Sequence, residues 1–170
     1  MSTLYKATKP NADDRKYFQR IQEIAEQFSD DPDTPLGVLV VSAEGNVVAE
    51  GANSLPVGVL PDPLRLSRPC AETHPEGDNG KYDWLNHAER KAVCHAARDG
   101  NSLKGGRMYA LLMPCIQCAQ TLIDAGVTEL VLSYDFTEAY RAKGSRWEFD
   151  FQRVITMLKE AGVTVRAVKL

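Results

Sequence analysis

Hydrophobic residues recur every three or four positions between Ala12 and Phe28, which predicts an amphipathic helix. The apolar face of this helix contains Phe18, Ile21, Ile24, Ala25 and Phe28. Asn11 is a suitable N-cap, and Asp13 and Asp14 fit the positive end of the helix dipole. The run SDDPDTP at residues 29–35 is rich in turn residues and ends the helix.

Two β-branched runs follow, LGVLVVS at 36–42 and VVAEGAN at 47–53, on either side of turn residues 44–46. This pattern predicts a hairpin of two buried strands. The later helical patterns cover Trp84–Arg98, Cys115–Asp124 and Trp147–Glu160, and the later strand patterns cover Arg107–Leu112, Thr128–Ser133 and Val163–Val168. Strands that alternate with helices predict an α/β fold whose sheet is covered on both faces. A length of 170 residues favours a single domain over residues 1–170.

Residues 54–83 break this regular alternation. Five prolines and three glycines in the segment exclude a long helix or a central strand. A loop of this length inside a compact domain is either disordered or functional.

Composition narrows the classes of function. The formal net charge of −3 and the pI of about 5.6 argue against a broad surface for duplex nucleic acid. No apolar run approaches the roughly 20 residues that cross a bilayer, and the start of the chain has no secretory pattern. We therefore expect a cytoplasmic protein with neither a membrane nor a nucleic-acid partner. Four cysteines without an export signal favour metal binding or catalysis over disulfides.

Two short motifs contain residues that bind metals: HAE at 87–89 and PCIQC at 114–118. Cys115 and Cys118 are three apart, so on the first turn of a helix both sulfurs face the same way. The helix N-terminus favours thiolates, and His87 can supply an imidazole as the third ligand. Catalytic zinc commonly has three protein ligands and one open position for water. The motifs therefore predict one zinc ion bound by His87, Cys115 and Cys118.

Glu89 follows His87 by two positions and points to a different side of the same helical turn. It can approach a water on the metal without binding the metal, which suits a general acid and base. Each motif alone has a simpler interpretation: a CxxC pair can be a redox or structural zinc motif, and an HxE pair can be surface polarity. The two motifs in this order favour a catalytic site, and a non-catalytic, zinc-stabilised binding protein is the alternative of another class.

An HxE motif followed by PCxxC resembles the zinc-dependent cytidine deaminase superfamily. The stretches KYDWLNHAERKAVCHAARDG and MPCIQCAQTLIDAGVTELV look like deoxycytidylate (dCMP) deaminases, and the resemblance extends over residues 37–131. VGVLPDPLRLSRP and WEFDFQRVITMLKEAGVTV are similar to bacterial members of that branch. The resemblance implies a three-layer α/β/α cytidine deaminase-like fold, with a five-stranded mixed sheet between helices. It also implies a homo-oligomer.

The resemblance implies the hydrolytic deamination of dCMP to dUMP, with Glu89 moving the proton and ammonia leaving from C4. A free base, a nucleoside or another small aminated heterocycle is the alternative substrate. Substrate contacts are expected from four residues: Asn53, Ala88, Pro114 and Tyr134. Asn53 matches the asparagine that holds the sugar in this family, although its position also suits a turn cap. Tyr134 follows a strand end and is a candidate pocket wall.

Other reactive or charged residues remain. Cys70 and His74 have a spacing that would suit a second, structural zinc, but Cys94 and His95 point about 100° apart on a helix. We expect no second zinc, with Cys94 as a small buried apolar residue. Six basic residues are candidates for a phosphate site or for solvated surface charge: Arg65, Arg68, Lys81, Arg141, Lys143 and Arg146.

Overall fold

The computed structural model of the chain describes residues 5–142 and 146–170, with only the backbone of residues 146–148. In these ranges a mixed sheet has the strand order β1-β6-β5-β4-β2-β3. The strands are β1 Ala7–Thr8, β2 Gly37–Val41, β3 Val47–Ala52, β4 Arg107–Ala110, β5 Glu129–Ser133 and β6 Thr164–Val168. β2 is antiparallel to β3 and β4, and the other neighbouring strands are parallel.

The described sheet has six strands, so the expectation of five was wrong. The additional strand, β1, is two residues long and lies at the edge, where Ala7 pairs with Ala167 and Thr8 with Val168. A two-residue strand has no alternation to read, and only its pairing with a distant strand defines it.

The helices are α1 Ala12–Phe28, α2 Pro63–Leu66, α3 Lys81–Trp84, α4 Ala88–Asp99, α5 Ile116–Asp124, α6 Tyr134–Arg141 and α7 Arg146–Glu160. The helix predicted from Trp84 begins instead at Ala88, because α3 ends at Trp84 and Leu85 is extended. The sequence pattern did not predict α6, which Ser133 begins by accepting a hydrogen bond from the N–H of Phe136 at 3.3 Å.

Alternate residues of the central strands face opposite layers of helices. One layer is α1, which packs against Leu39, Val41, Tyr109 and Val131. The other comprises α4, α5 and α7, which pack on the face that holds Val38, Val40, Met108 and Leu130. The predicted coverage of both faces is therefore confirmed. Phe28 departs from its predicted face and is 52% exposed, because it is the last residue of α1.

Gly51 of β3 sets the position of α4. A Cβ at residue 51 would lie 2.4 Å from the carbonyl oxygen of Ala88 and 2.5 Å from the nitrogen of Ala92. The helix therefore lies directly on the strand backbone, with Ala88, Ala92 and Ala96 buried. Cys94 is on the outer side of this helix and is exposed, so its predicted burial was wrong.

A buried ion pair joins α1 to β6. Both oxygens of Asp14, which is fully buried, accept hydrogen bonds from the guanidinium of Arg166 at 2.8 Å. Asp14 also accepts from the hydroxyl of Tyr109 at 3.1 Å and from the N–H of Asn11 at 3.0 Å. Arg166 donates in addition to Glu129 at 3.0 Å.

Within the described ranges, no helix combines the length and the apolar character that crossing a bilayer would require.

Candidate active site

The N-termini of α4 and α5 meet at one end of the sheet. His87 is the N-cap residue of α4 and Cys115 that of α5, and neither helix has a side-chain hydrogen bond at its cap. The first amides of both helices therefore keep their positive partial charge near the residues between them. This field favours thiolates and other anions at the junction.

The predicted ligand atoms lie together at this junction. One ligand atom each from His87, Cys115 and Cys118 falls within 4.8 Å of the other two. His87 Nδ1 is 3.4 Å from the sulfur of Cys115 and 3.5 Å from that of Cys118. A tetrahedral zinc with bonds of about 2.3 Å to sulfur and about 2.0 Å to nitrogen separates such ligands by about 3.5 Å. The donor set and its spacing therefore fit zinc.

The thiols of Cys115 and Cys118 differ in pKa because the hydrogen bond between them shifts the two pKa values in opposite directions. A hydrogen bond from Cys118 lowers the pKa of the Cys115 thiol to about 4. Burial alone would raise this pKa, and a hydrogen bond with His87 lowers it further. The pKa of the Cys118 thiol is raised by its hydrogen bond to Cys115 and by burial. Since zinc binds the thiolate, metal binding must displace the remaining proton.

Glu89 is beside these ligands on the first turn of α4. Burial raises the pKa of its carboxyl group, and the nearby His87 partly opposes that rise. A carboxyl group with a raised pKa is protonated more readily, which suits a group that both accepts and donates a proton in one reaction. The arrangement is therefore suited to moving a proton next to a metal.

A cavity of about 430 Å³ opens onto this junction. Its walls include His87, Glu89 and Cys115. Its volume falls in the range of about 300–1,000 Å³ that is typical of small-molecule sites. The cavity therefore has room for a substrate next to the candidate metal site.

The four expected substrate contacts have different positions. Asn53 and Ala88 line the cavity. Pro114 is buried next to the lining residue Cys115 but is not itself part of the lining. The ring of Tyr134 packs edge-on against Tyr5, with 6.2 Å between centroids, and Tyr134 is not part of the lining.

The amide of Asn53 is fully engaged by the protein. Its Oδ1 accepts from Ser29 Oγ at 2.7 Å and from the N–H of Leu36 at 2.8 Å. Its Nδ2 donates to the carbonyl of Thr34 at 2.9 Å and to Asp31 at 3.2 Å. These four bonds hold the 29–36 connection against the end of β3, so the amide has a structural role here.

The predicted basic residues are mostly paired or distant. Lys81 and Arg68 line the cavity, where Lys81 donates to Asp31 and Asp33, at 2.6 and 3.0 Å, and Arg68 donates to Asp33 at 2.9 Å. Arg65 lies over the ring of Trp84, and Arg141 contacts Glu138. Lys143 and the side chain of Arg146 lie outside the described residues.

The remaining cysteines and histidines are separate from this junction. His74 Nδ1 accepts from the N–H of Cys70 at 3.3 Å and lies 2.9 Å from Thr73 Oγ1. Cys70 and Cys94 are both exposed. Among the described residues, these side chains do not join any cluster of three or more potential metal ligands.

Sequence reasoning missed Arg90, which lines the cavity next to Glu89. Its Nε is buried and has no hydrogen-bond partner among the described residues. The spacing contained a signal, because a residue three positions after His87 shares its side of a helix. Its lack of a partner could not be read from the sequence.

Comparisons with known proteins agree with this geometry. Residues 11–134 match the family model of the cytidine and deoxycytidylate deaminase zinc-binding region. The chain is 31% identical to deoxycytidylate deaminase of Pongo abelii over 152 residues, which is 89% of this chain and 77% of the relative. Its identity to the Homo sapiens deoxycytidylate deaminase is 30% over the same shares.

A solved structure has a similar fold. The dCMP deaminase of cyanophage S-TIM5, in complex with dCMP and dUMP, superposes with a TM-score of 0.66 at 18% identity. The match covers 94% of this chain and 99% of the phage protein. The likeness shows that the chain has the cytidine deaminase-like α/β fold.

Proposed function

Because the chain belongs to the cytidine and deoxycytidylate deaminase family, we propose that it hydrolyses dCMP to dUMP and ammonia. The observation that carries this proposal is that the ligand atoms of His87, Cys115 and Cys118 lie together. The cavity beside them is lined by His87, Glu89 and Cys115. The family and its relatives identify the chain as a deaminase, and the identity to dCMP deaminases over 89% of its length supports this substrate.

The residues at the junction have two roles in the proposed reaction, metal binding and proton transfer. His87, Cys115 and Cys118 would hold zinc, which would supply a water of lowered pKa. Glu89 takes a proton from the attacking water as the water oxygen bonds to C4 of the pyrimidine. Glu89 then delivers a proton to the amino nitrogen as the C4–N bond breaks, so one water is consumed and one ammonia is released.

We assign one zinc ion to this site, since the ligands that support it form a single cluster among the described residues. The backbone N–H of Ala88, at the uncapped start of α4, is close to the reacting centre in this proposal. Asn53 contributes by holding the cavity wall, Pro114 by starting the turn before Cys115, and Tyr134 remains a predicted pocket contact.

The experiment is a substrate panel with the zinc-loaded full chain. Ammonia release is measured with dCMP, CMP, deoxycytidine, cytidine, cytosine and guanine. We expect dCMP to give the highest kcat/KM. Preference for an unphosphorylated compound would replace the nucleotide assignment with the base or nucleoside alternative. No release from any compound would favour the non-catalytic binding protein.

We further propose a single-domain, cytoplasmic homo-oligomer. The resemblance to this family implies an oligomer, and exposed apolar side chains such as Val57 and Leu60, at 88% and 74% exposure, support a subunit contact. Sedimentation equilibrium tests the assembly, and a monomer at micromolar concentration would contradict it.

The expected closeness to bacterial dCMP deaminases stays a prediction, since the relatives reported above are from Pongo abelii and Homo sapiens.

A further inference from the structure

Arg90 is a cation in the cavity wall with an unused donor. It is the third residue of α4 and follows Glu89 directly. Its Nε is buried, yet among the described residues it has no hydrogen-bond acceptor. Buried donors in folded proteins are nearly always paired, so this atom indicates an acceptor that arrives with a ligand.

The other described cations in the cavity wall already have counter-ions. Lys81 is 3% exposed and lies between Asp31 and Asp33, and Arg68 also binds Asp33. Two carboxylates thus balance two cations on that wall. Arg90 has no carboxylate within ion-pair distance among the described residues, so its charge is available to an anion in the cavity.

Arg90 lines the cavity without belonging to the cluster of potential metal ligands. It lies three positions after His87, which puts both on one side of the first turn of α4. The first amides of this helix, which lack a side-chain cap, add a positive partial charge at the same end. Both features favour a negatively charged part of the substrate.

We propose that Arg90 binds the phosphate of the substrate and thereby selects a nucleotide over the nucleoside. This inference rests on the proposed function, deamination of dCMP. A guanidinium matches a phosphate because two of its N–H groups can donate in parallel to two oxygens. A nucleoside leaves the guanidinium unpaired, and a site built to pair a buried donor discriminates against a ligand that lacks the acceptor.

The test compares dCMP with deoxycytidine in Arg90→Gln and in a matched control, Arg98→Gln. Arg98 is on the same helix, is exposed and pairs with its neighbour Asp99. For Arg90→Gln we expect KM for dCMP to rise roughly 10- to 100-fold, the size of a lost charge-assisted hydrogen bond. We expect kcat/KM for deoxycytidine to stay within about twofold, and Arg98→Gln to match the wild type with both substrates.

Equal losses with dCMP and deoxycytidine would show that Arg90 contacts the base or sugar, and would overturn the phosphate assignment. An unchanged KM for dCMP would also overturn it. If Arg90→Gln loses its zinc, Arg90→Met is compared with Arg90→Lys, which keeps the charge. A KM for dCMP that rises in Arg90→Met and is largely restored in Arg90→Lys supports the assignment, and wild-type values in both variants contradict it. A wild-type enzyme that deaminates neither substrate overturns the proposed function itself, whereas dCMP activity that does not depend on Arg90 overturns only this inference.

Discussion

Two buried polar clusters in this molecule are completed in different ways. The structural cluster, Asp14, Tyr109, Glu129 and Arg166, joins α1 to the sheet, and each oxygen of the Asp14 carboxylate has partners within the protein. The site cluster, His87, Glu89, Arg90, Cys115 and Cys118, lies at the start of two helices. His87 Nδ1 lies 3.4 and 3.5 Å from its two sulfurs, and Arg90 Nε has no partner among the described residues.

The difference indicates what each cluster does. Polar groups that satisfy one another contribute to folding, because removing one leaves the others buried and unpaired. Polar groups that lack protein partners have interactions available for a metal and a substrate. Changes in the site cluster should therefore affect activity with little effect on stability, and changes in the structural cluster should do the opposite.

The largest expected effect is loss of a metal ligand. Cys118→Ala removes a fully buried sulfur, so zinc content should fall to near zero and deamination with it. Metal analysis of the purified variant, with an ammonia-release assay, measures both. Cys94→Ala is the control, because Cys94 is an exposed cysteine on α4 and should keep wild-type zinc and activity. Full activity in a zinc-free Cys118→Ala protein would disprove the metal assignment.

Glu89→Gln should separate catalysis from metal binding within the site cluster. We expect kcat to fall by roughly 10²- to 10⁴-fold, the range for loss of a general acid and base, while zinc content is unchanged. Steady-state kinetics and metal analysis on the same preparation provide the test. A variant that keeps both its zinc and its full rate would refute the proton-transfer role of Glu89.

Arg166→Leu should produce the opposite result in the structural cluster. It leaves the fully buried Asp14 without its counter-ion, which should lower the free energy of unfolding by about 3 kcal/mol. Urea denaturation measures the change, and kcat/KM for dCMP should stay close to wild type. The matched control, Arg98→Leu, breaks an exposed pair and should leave the midpoint unchanged. Equal urea midpoints for Arg166→Leu and Arg98→Leu would contradict the stabilising role of the structural cluster.

The smallest expected effect is a pH dependence that belongs to Asp14. Burial alone would raise the pKa of this carboxyl group, but hydrogen bonds from Arg166 and Asn11 hold it below its ordinary value of 3.8. Because the pKa of Asp14 is lower in the folded state than in the unfolded chain, Asp14 stabilises the protein at pH values above its unfolded-state pKa. This contribution is lost as the pH falls through the folded-state pKa. Unfolding midpoints from about pH 5 to about pH 3 should therefore fall more in the wild type than in Asp14→Asn. If the midpoints of the wild type and Asp14→Asn fell equally with pH, the pKa of Asp14 would not be lowered in the folded protein.

The elements with strong local patterns were predicted well. The helix over residues 12–28 has the same bounds in the structure, including its Asn11 cap, and the hairpin over residues 36–53 forms as expected. The errors lie where local pattern is weak or absent. β1 is defined by its partner strand, and the break at Leu85 depends on how α3 packs against the body.

The sequence by itself determined the chemistry at the two helix starts, because the direction of His87, Glu89, Cys115 and Cys118 depends on helical spacing within a few residues. Only the tertiary structure decided which polar groups are already paired. Lys81 meets Asp31 across 50 positions of the chain, and Asp14 meets Arg166 across 152. Packing of distant segments pairs the amide donors of Asn53, whereas within the described ranges it gives Arg90 Nε no acceptor. The physical reason is range: backbone geometry acts between near neighbours, whereas burial and pairing depend on contacts that form only when the whole chain folds.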